Sequence, residues 1–139
     1  MTGESAFELR PIGRVESTLL TRADAPRQGD EGAPDAWLVF DESVAQGLTD
    51  LLAGDEVVLL TWLDRADRST LRTIPRDDPR NPETGVFSTR SSDRPNPIGL
   101  HRVTILAVDG LRIHVSNLEA IDGTPIVDVK PVLDVSLER

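Results

Sequence analysis

One loop of the 139-residue chain concentrates side chains that could recognise a small charged ligand. It spans residues 91–99 and places Asn96 between two prolines, with Arg94 inside the loop and Arg90 directly before it. Proline fixes its own φ and restricts the residue before it, so Asn96 is expected to be extended with its amide held at a fixed angle. Guanidinium groups pair with carboxylates in a planar, bidentate manner. The residues alone favour two interpretations equally: a rigid wall that holds a carboxylate and hydrogen-bonds a purine, or a proline- and glycine-closed turn with solvated arginines.

A second cluster spans residues 122–131 and carries Asp128 and Lys130 two positions apart on a predicted strand. Side chains at positions i and i+2 of a strand share one face. Asp128 could accept a hydrogen bond from a ligand hydroxyl or amine, and Lys130 could offer its ammonium group. The alternative is an exposed ion pair, which contributes little to stability. A third and weaker cluster is the Pro-Arg-Gln sequence within residues 25–29.

The composition excludes several kinds of chemistry. The sequence contains no cysteine, which excludes disulfides, thiolate metal sites and cysteine nucleophiles. The two histidines, His101 and His114, both alternate with apolar residues, so no metal site is predicted. We expect a structural role for His114, and the same role is favoured for His101, although His101 directly follows the proline-rich loop. Motifs of dinucleotide-binding loops, zinc proteases and serine hydrolases are absent.

The formal charge of −9 argues against broad electrostatic binding of nucleic acid, which needs many contacts between basic side chains and phosphates. It does not exclude a local basic patch. Fourteen of the fifteen basic residues are arginine, a bias that a high-GC genome would also produce. No segment has the ~18 apolar residues of a membrane helix, and the first residues lack the apolar stretch of a signal peptide. We therefore expect a cytoplasmic protein with no membrane partner.

The elements that must position these residues are mostly short strands. Apolar alternation and β-branched runs predict strands at 6–16, 37–40, 56–62, 85–89, 101–109, 111–118 and 126–129, with a possible short one at 70–74. One short helix is predicted at 43–52, and Asp-Gly at 109–110 predicts a hairpin. Long loops are expected at 21–35 and 64–84. The sequence thus predicts a mainly β protein, with residues 1–139 forming one small β-barrel domain with one short helix and long loops.

The three clusters, in this order and at this spacing, resemble the TrmO family, also called TsaA-like. The matching segments are Phe-Glu-Leu-Arg-Pro-Ile-Gly at 7–13, Pro-Arg-Gln at 26–28, Gly-Val-Phe-Ser-Thr-Arg at 85–90, Arg-Pro-Asn-Pro-Ile-Gly-Leu at 94–100, Asp-Gly-Thr-Pro at 122–125 and Asp-Val-Lys-Pro at 128–131. The resemblance covers nearly the whole chain, and the Arg-Pro-Asn-Pro-Ile-Gly hexapeptide with the upstream Gly-Val-Phe is highly specific.

The resemblance implies a compact β-barrel that binds S-adenosylmethionine without a Rossmann domain, in a homodimer with the cofactor near the subunit interface. It implies N-methylation of threonylcarbamoyladenosine, the modified base beside the anticodon of some tRNAs. The family's cofactor pocket corresponds here to Pro26, Arg27, Gln28, Phe87, Arg90, Arg94, Asn96, Ile98, Leu100, Asp122 and Thr124. The candidate catalytic residues are Arg94, Asp128 and Lys130. Methyl transfer from a sulfonium needs mainly alignment of the acceptor, so a protein without a cysteine nucleophile can catalyse it by positioning.

Specific roles follow as hypotheses from side-chain chemistry and the resemblance. Arg90 or Arg94 would hold the methionine carboxylate or the acceptor, and Asn96 would contact the adenine. Asp122 or Asp128 would contact the ribose or the α-amine, and a carboxylate could take the proton lost by a nitrogen acceptor.

Two departures from the family pattern concern the substrate rather than the cofactor. Family members that act on tRNA often carry a further C-terminal domain, whereas this sequence stops at Arg139, and Val132 stands where the family often has an aromatic residue. The net charge of −9 also weighs against tRNA. Three functions therefore stay open: a tRNA methyltransferase, a methyltransferase for a small molecule or peptide, and a non-catalytic module that binds the cofactor or a nucleotide.

Overall fold

A computed structural model describes residues 5–26 and 29–133. Within these ranges the strands are β1 (Gly13–Glu16), β2 (Ala36–Phe40), β3 (Glu56–Trp62), β4 (Arg72–Thr73), β5 (Thr84–Gly85), β6 (Ile98–Asp109), β7 (Arg112–Val115) and β8 (Pro125–Pro131). Short 3₁₀ helices lie at Gly29–Glu31, Glu42–Leu48, Pro75–Asp77 and Val86–Ser88. None of the helices in the described ranges is long and apolar enough to cross a lipid bilayer.

Six of the strands form a closed antiparallel barrel in the order β1–β2–β7–β6–β3–β8. β1 pairs with both β2 and β8, so the first and last strands of the ring close it. β4 and β5 pair separately as a two-stranded ribbon. The prediction of a small, mainly β barrel is therefore confirmed.

Strand alternation builds the barrel interior. In β3 every second side chain is buried, and Val57, Leu59 and Thr61 point inward. The neighbouring β6 adds Val103 and Ile105. The same core contains the buried side chains of Val15, Ala36, Leu38, Phe40, Ile113, Val115, Leu118, Ala120 and Ile126. Each fully buried Val, Leu or Ile contributes about 1.5–3 kcal/mol relative to exposure, so this interior is the main source of stability for the barrel.

The longest strand, β6, directly follows the proline-rich loop and pairs with two neighbouring strands, β3 and β7. Its first part pairs with β3, from Ile98 opposite Trp62 to Thr104 opposite Glu56, and its second part pairs with β7. The register shifts between Ile105 and Ala107, and a bulge of this kind bends a strand. The segment that follows the proline-rich loop is consequently fixed against β3 beside Trp62.

Several predicted elements are confirmed by the structure. β3 has the predicted bounds, and β2, β4 and β8 lie at the predicted positions. The predicted hairpin forms with Asp109 opposite Arg112, and Gly110 takes a left-handed φ of 60° that a side chain would disfavour.

The strand predicted at 101–109 already begins at Ile98, and the strand predicted at 111–118 covers only Arg112–Val115. Three other predicted elements differ more strongly in extent or type. The first strand covers Gly13–Glu16 only, since Pro11 cannot donate to a sheet and Phe7 is 91% exposed rather than packed. Residues 85–89 contain the end of β5 and a 3₁₀ turn instead of one strand. The predicted helix at 43–52 is the 3₁₀ helix Glu42–Leu48, which contains a glycine that disfavours an α-helix.

Candidate functional site

A cleft of about 1400 Å³ lies where several loops meet the first part of β6. Its walls come mainly from residues 63–66, 73–77, 88–94, 98–102, 116–117 and 119–121. The predicted site residues that line it are Pro26, Arg90, Arg94, Ile98, Leu100 and Thr124. The other predicted site residues in the described part of the chain do not line the cleft: Phe87, Asn96, Asp122, Asp128 and Lys130. The predicted residues Arg27 and Gln28 lie outside the described part of the chain.

Arg94 organises the loop that forms one wall of the cleft. Its guanidinium donates hydrogen bonds to the backbone carbonyls of Val86, Thr89 and Ser91. The half-buried side chain thereby ties together carbonyls from the 3₁₀ turn and from the loop that follows it, including the Val86 carbonyl that also accepts from the Thr89 amide. Most of the hydrogen-bonding capacity of Arg94 is therefore used inside the protein, which fits a residue that shapes the cleft.

Arg90 differs from Arg94 because its charge is available. It is exposed, it lines the cleft, and in the described part of the chain its guanidinium makes no hydrogen bond or ion pair. A guanidinium without an internal partner can bind a carboxylate through two parallel hydrogen bonds. Of the two arginines predicted from the loop, Arg90 is therefore the one whose geometry suits a ligand carboxylate.

The proline-bracketed Asn96 is held by a residue that the sequence did not reveal. Arg68 donates from Nε to the carbonyl of Pro95 at 2.7 Å and from Nη2 to Oδ1 of Asn96 at 3.1 Å. The same guanidinium lies over the Trp62 ring, 5.1 Å from its centroid. The Asn96 carbonyl accepts from the Ile98 amide at 2.8 Å, which tightens the segment before β6. Asn96 is thus fixed at the edge of the cleft wall.

Asp93 connects this wall to the loop after β3. Its Oδ1 accepts from Nη2 of Arg22 at 3.0 Å and from the amide of Asp67 at 2.8 Å. Asp67 in turn accepts hydrogen bonds from the hydroxyl and the amide of Ser69, which lower the pKa of its carboxyl below the usual value. These bonds order the loop from which Arg68 reaches Asn96.

The Asp-Gly-Thr-Pro sequence forms a tight turn next to the cleft. Oδ1 of Asp122 accepts from the Ser17 amide at 3.0 Å, and the Thr124 hydroxyl donates to the Ile121 carbonyl at 2.7 Å. Gly123 has φ 84°, a left-handed conformation that suits glycine. Thr124 is buried and Asp122 half-buried, so both polar groups stabilise the turn that supports the cleft.

Apolar side chains are exposed beside these polar groups. Ile98 and Leu100 are 43% and 49% exposed on the outward face of β6, and Phe87 is 79% exposed on the 3₁₀ turn. Ile98 and Leu100 line the cleft. Exposed apolar groups next to charged ones are typical of binding surfaces.

Asp128 and Lys130 lie on β8, as predicted, and share one face of it. Nζ of Lys130 is 3.1 Å from Oδ2 of Asp128, and both side chains are largely exposed. Asp128 borders a separate hollow of about 280 Å³ together with Val44, Leu48 and Val129. The ion pair is therefore present, but it does not line the cleft of its own chain.

A buried chain of three polar side chains reaches the cleft from the barrel interior. Oγ1 of Thr61 is 2.7 Å from Nε2 of His101, and Nδ1 of His101 is 2.5 Å from Oε1 of Glu119. A Cβ atom on Gly99 would lie 2.3 Å from Oγ1 of Thr61, so glycine leaves the space for this chain. Sequence reasoning favoured a structural His101 and did not single out Thr61 or Glu119. The one signal in the sequence is the alternation along β6, which places the side chain of His101 on the inward face.

The cleft is more basic than the whole protein. Six arginines and five carboxylates line it, in a chain of formal charge −9. Several of these arginines are paired, including Arg102 with Glu56 at 2.7 Å and Arg76 with Glu31 at 2.8 Å. The described residues contain no cluster of three or more His, Asp or Glu side chains suited to a metal ion.

The chain is similar to several known proteins. Residues 14–136 match the model of the tRNA-methyltransferase O N-terminal domain family. An S-adenosyl-L-methionine-binding protein from Archaeoglobus fulgidus is 45% identical over 123 residues, which cover 88% of this chain and 86% of that protein. A probable S-adenosyl-L-methionine-binding protein from Halobacterium salinarum is 39% identical over 126 residues, covering 89% and 97%.

Solved structures of TrmO from Pseudomonas aeruginosa superpose with TM-scores of 0.75 and 0.74, both at 27% sequence identity. These matches cover 100% and 97% of this chain. The chain spans about 62% and 61% of the length of those TrmO chains.

Proposed function

Since the chain belongs to the tRNA-methyltransferase O N-terminal domain family, we propose that its cleft binds S-adenosylmethionine and that the protein is a methyltransferase. The observation that carries this proposal is that one cleft is lined both by Arg90, whose guanidinium has no partner among the described residues, and by the exposed apolar Ile98 and Leu100. A cation next to an apolar surface suits a ligand with a carboxylate at one end and a purine at the other. The names of the archaeal relatives support the same cofactor.

The residues present fit this cofactor in size and chemistry. A cleft of about 1400 Å³ exceeds the ~300–1,000 Å³ of typical small-molecule sites, which leaves room for part of an acceptor. Arg90 would hold the methionine carboxylate, and Ile98, Leu100 and Pro26 would contact the apolar faces of the nucleoside. Arg94 would act by keeping the wall in shape.

The remaining predicted residues keep supporting roles in the proposal. Asn96, Phe87 and Asp122 would contribute from the edges of the cleft, and Thr124 from its supporting turn. Arg27 and Gln28 are proposed cofactor contacts on the resemblance alone.

Catalysis would rest on positioning by these residues. The cofactor supplies an activated methyl group, so the protein has to align the acceptor with it at near-attack distance and exclude water. The wall held by Arg94 and Arg68 would provide a rigid frame for that alignment. Rigid alignment of two reactants is worth several kcal/mol of the barrier, about 7–11 in well-oriented cases.

We further propose that the acceptor is a nitrogen of threonylcarbamoyladenosine in tRNA, which would place the protein in the cytoplasm. The name of the family model supports a tRNA substrate, and the resemblance supports threonylcarbamoyladenosine as the modified base. The arginines that line the cleft provide local positive charge. The formal charge of −9 favours a second candidate, a methyltransferase for a small molecule or peptide. A module that binds the cofactor without catalysis is the third.

A homodimer is part of the proposal. Ile98 and Leu100 expose apolar surface in the cleft and Phe87 exposes its ring on the 3₁₀ turn, and a second copy would cover these side chains. Asp128 and Lys130 do not line the cleft of their own chain, so the proposed catalytic role of this pair depends on a neighbouring copy. Sedimentation at micromolar concentration tests this point. A monomer that still transfers methyl groups would remove Asp128 and Lys130 from the mechanism.

Calorimetry with S-adenosylmethionine tests the cofactor site. Replacing Arg90 with alanine should weaken binding about 10- to 100-fold, because a hydrogen bond to a charged group contributes about 1.5–3 kcal/mol. Arg80→Ala is the matched control, since Arg80 is exposed and pairs with Asp78 away from the cleft. Equal affinity in the wild type and in both variants would refute the assignment of Arg90.

Mass spectrometry tests the acceptor. Purified protein and cofactor are incubated with unmodified tRNA, with tRNA that carries threonylcarbamoyladenosine, and with a pool of small metabolites and peptides. A mass increase of one methyl group on the modified tRNA alone supports the first candidate. Methylation of a metabolite or peptide alone supports the second, and binding without any transfer supports the third.

A further inference from the structure

The buried chain of Thr61, His101 and Glu119 has no role in the function proposed so far. His101 is 5% exposed and Thr61 is fully buried, yet both side chains are polar. Burying polar groups costs free energy unless each one is paired. Among the described residues no buried side-chain nitrogen or oxygen lacks a partner, so the buried polar atoms of Thr61 and His101 are all paired. Three apolar side chains would fill the same space without any need for hydrogen-bond partners. The presence of three hydrogen-bonded polar side chains here therefore needs an explanation.

The chain has a direction. Side-chain exposure rises from 0% at Thr61 to 5% at His101 and 17% at Glu119, and both His101 and Glu119 line the cleft. Glu119 is therefore the end that a ligand can reach. Because an ionised carboxylate only accepts hydrogen bonds, Nδ1 of His101 is assigned as the donor to Oε1 of Glu119, and in that neutral tautomer Nε2 accepts from the Thr61 hydroxyl.

The second oxygen of Glu119 is available for chemistry. Oε1 is engaged by His101, whereas Oε2 makes no hydrogen bond in the described part of the chain. Another carboxylate of the cleft, Asp93, already accepts from Arg22 and from the amide of Asp67. Glu119 thus combines a fixed orientation, a position at the cleft and an unused acceptor atom.

We propose that Glu119 is the proton acceptor in methyl transfer and that His101 and Thr61 are positioning residues. The proposal rests on the methyltransferase function proposed above. The lone pair of the acceptor nitrogen forms the bond to the methyl carbon as the sulfur–carbon bond breaks, and the bonding pair stays on sulfur. The N–H bond of the acceptor breaks, its electron pair remains on nitrogen, and the proton passes to Oε2 of Glu119. The cationic cofactor and the carboxylate both end neutral, so charge and atoms balance.

Glu119→Gln is the central test variant, because glutamine keeps an oxygen that can accept from His101 but cannot take a proton. Single-turnover methylation of the acceptor found by mass spectrometry should slow about 10²- to 10⁴-fold, the usual contribution of a general base. Affinity for S-adenosylhomocysteine, measured by calorimetry, should change less than about twofold. Glu83→Gln is the control, since Glu83 is exposed and pairs with Arg72 outside the cleft.

Three further measurements separate a proton acceptor from a structural residue. Added formate should restore part of the rate of Glu119→Ala, because a small carboxylate can occupy the vacated position. Nitrogen NMR of the cofactor-free protein should show His101 protonated on Nδ1, and this tautomer should be lost in Glu119→Ala. His101→Gln should lower the turnover rate at saturating substrate more than it raises KM.

Three results would overturn the proposal while leaving the methyltransferase function in place. A full rate in Glu119→Gln would show that no proton passes to this carboxylate, and an Nε2-protonated His101 would contradict the chain itself. A large loss of cofactor affinity with an unchanged rate at saturation would make Glu119 a cofactor ligand. A wild-type protein that transfers no methyl group to any acceptor would instead refute the methyltransferase function, and the role of Glu119 with it.

Discussion

Gly99 is the position where a single methyl group should disturb the site most. An ideal Cβ there would lie 2.3 Å from Oγ1 of Thr61, 2.7 Å from Nε2 of His101 and 3.1 Å from Cδ2 of Leu63. Forcing extra atoms into a packed interior costs about 1–3 kcal/mol. Losing the buried hydrogen bond between Thr61 and His101 costs about 1–3 kcal/mol more. Gly99→Ala should therefore lower the free energy of unfolding by about 2–6 kcal/mol, and Tm by roughly 8–24 °C for a domain of this size.

Thermal and urea unfolding of purified protein measure this effect. Gly47→Ala is the matched control, since a Cβ at Gly47 meets no atom within 4 Å, and its Tm should stay equal or rise slightly. Thr61→Ala removes the closest atom, so the double variant with Gly99→Ala should cost less than the sum of the two single changes. A Tm for Gly99→Ala within 2 °C of the wild type would refute the close packing of β3 against β6 at this point.

Three other substitutions probe the cleft wall. Arg68→Ala should change Tm little, because the residue is exposed. It should weaken cofactor binding several-fold, because Asn96 loses the hydrogen bond from Arg68. Calorimetry and thermal unfolding on the same sample measure the two effects. Arg94→Lys keeps the charge but cannot reach three carbonyls at once, so cofactor affinity should fall about tenfold, and an unchanged affinity would show that charge alone matters. In the wild type, acid should change the fluorescence of Trp62 by loosening the loop from which Arg68 covers the Trp62 ring, and Asp67→Asn should remove this change. The lowered pKa of Asp67 means that its bonds from Ser69 persist at neutral pH and are lost as the pH falls through that lowered value, and a transition retained in the variant would assign it elsewhere.

The barrel was predictable because its signals are local. A run of β-branched and apolar residues defined β3 to the residue, and Asp109-Gly110 marked the hairpin between β6 and β7. The segment at 85–89 was not predictable in the same way. Its residues favour a strand, but Arg94 draws the carbonyls of Val86 and Thr89 toward one guanidinium and stabilises a turn. Such a tertiary contact overrides local propensity.

The site was only partly predictable for a similar reason. The arginines and prolines near Asn96 are close in sequence, so their grouping was visible from spacing alone. Arg68 lies 28 positions from Asn96, and Glu119 lies 18 positions from His101. An arginine or glutamate in a long polar loop carries no sign of its partner until the chain has folded. The resemblance identified residues that shape the cleft, whereas the hydrogen-bonded chain behind it required coordinates.

The ring of strands has one weak seam, the short pairing between β1 and β8 that closes it. β1 and β8 are in register only at Gly13 opposite Ile126 and Arg14 opposite Pro125, and proline has no amide hydrogen to give. The amides of Ile12 and Val15 add bonds to the carbonyls of Ile126 and Thr124 at either side. Short pairings open at lower free energy than long ones, so hydrogen–deuterium exchange should be fastest along this seam and slowest between β3 and β6. Separation of β1 from β8 would expose one unpaired edge on each strand. Self-association of a partly opened protein would therefore begin at β1 and β8.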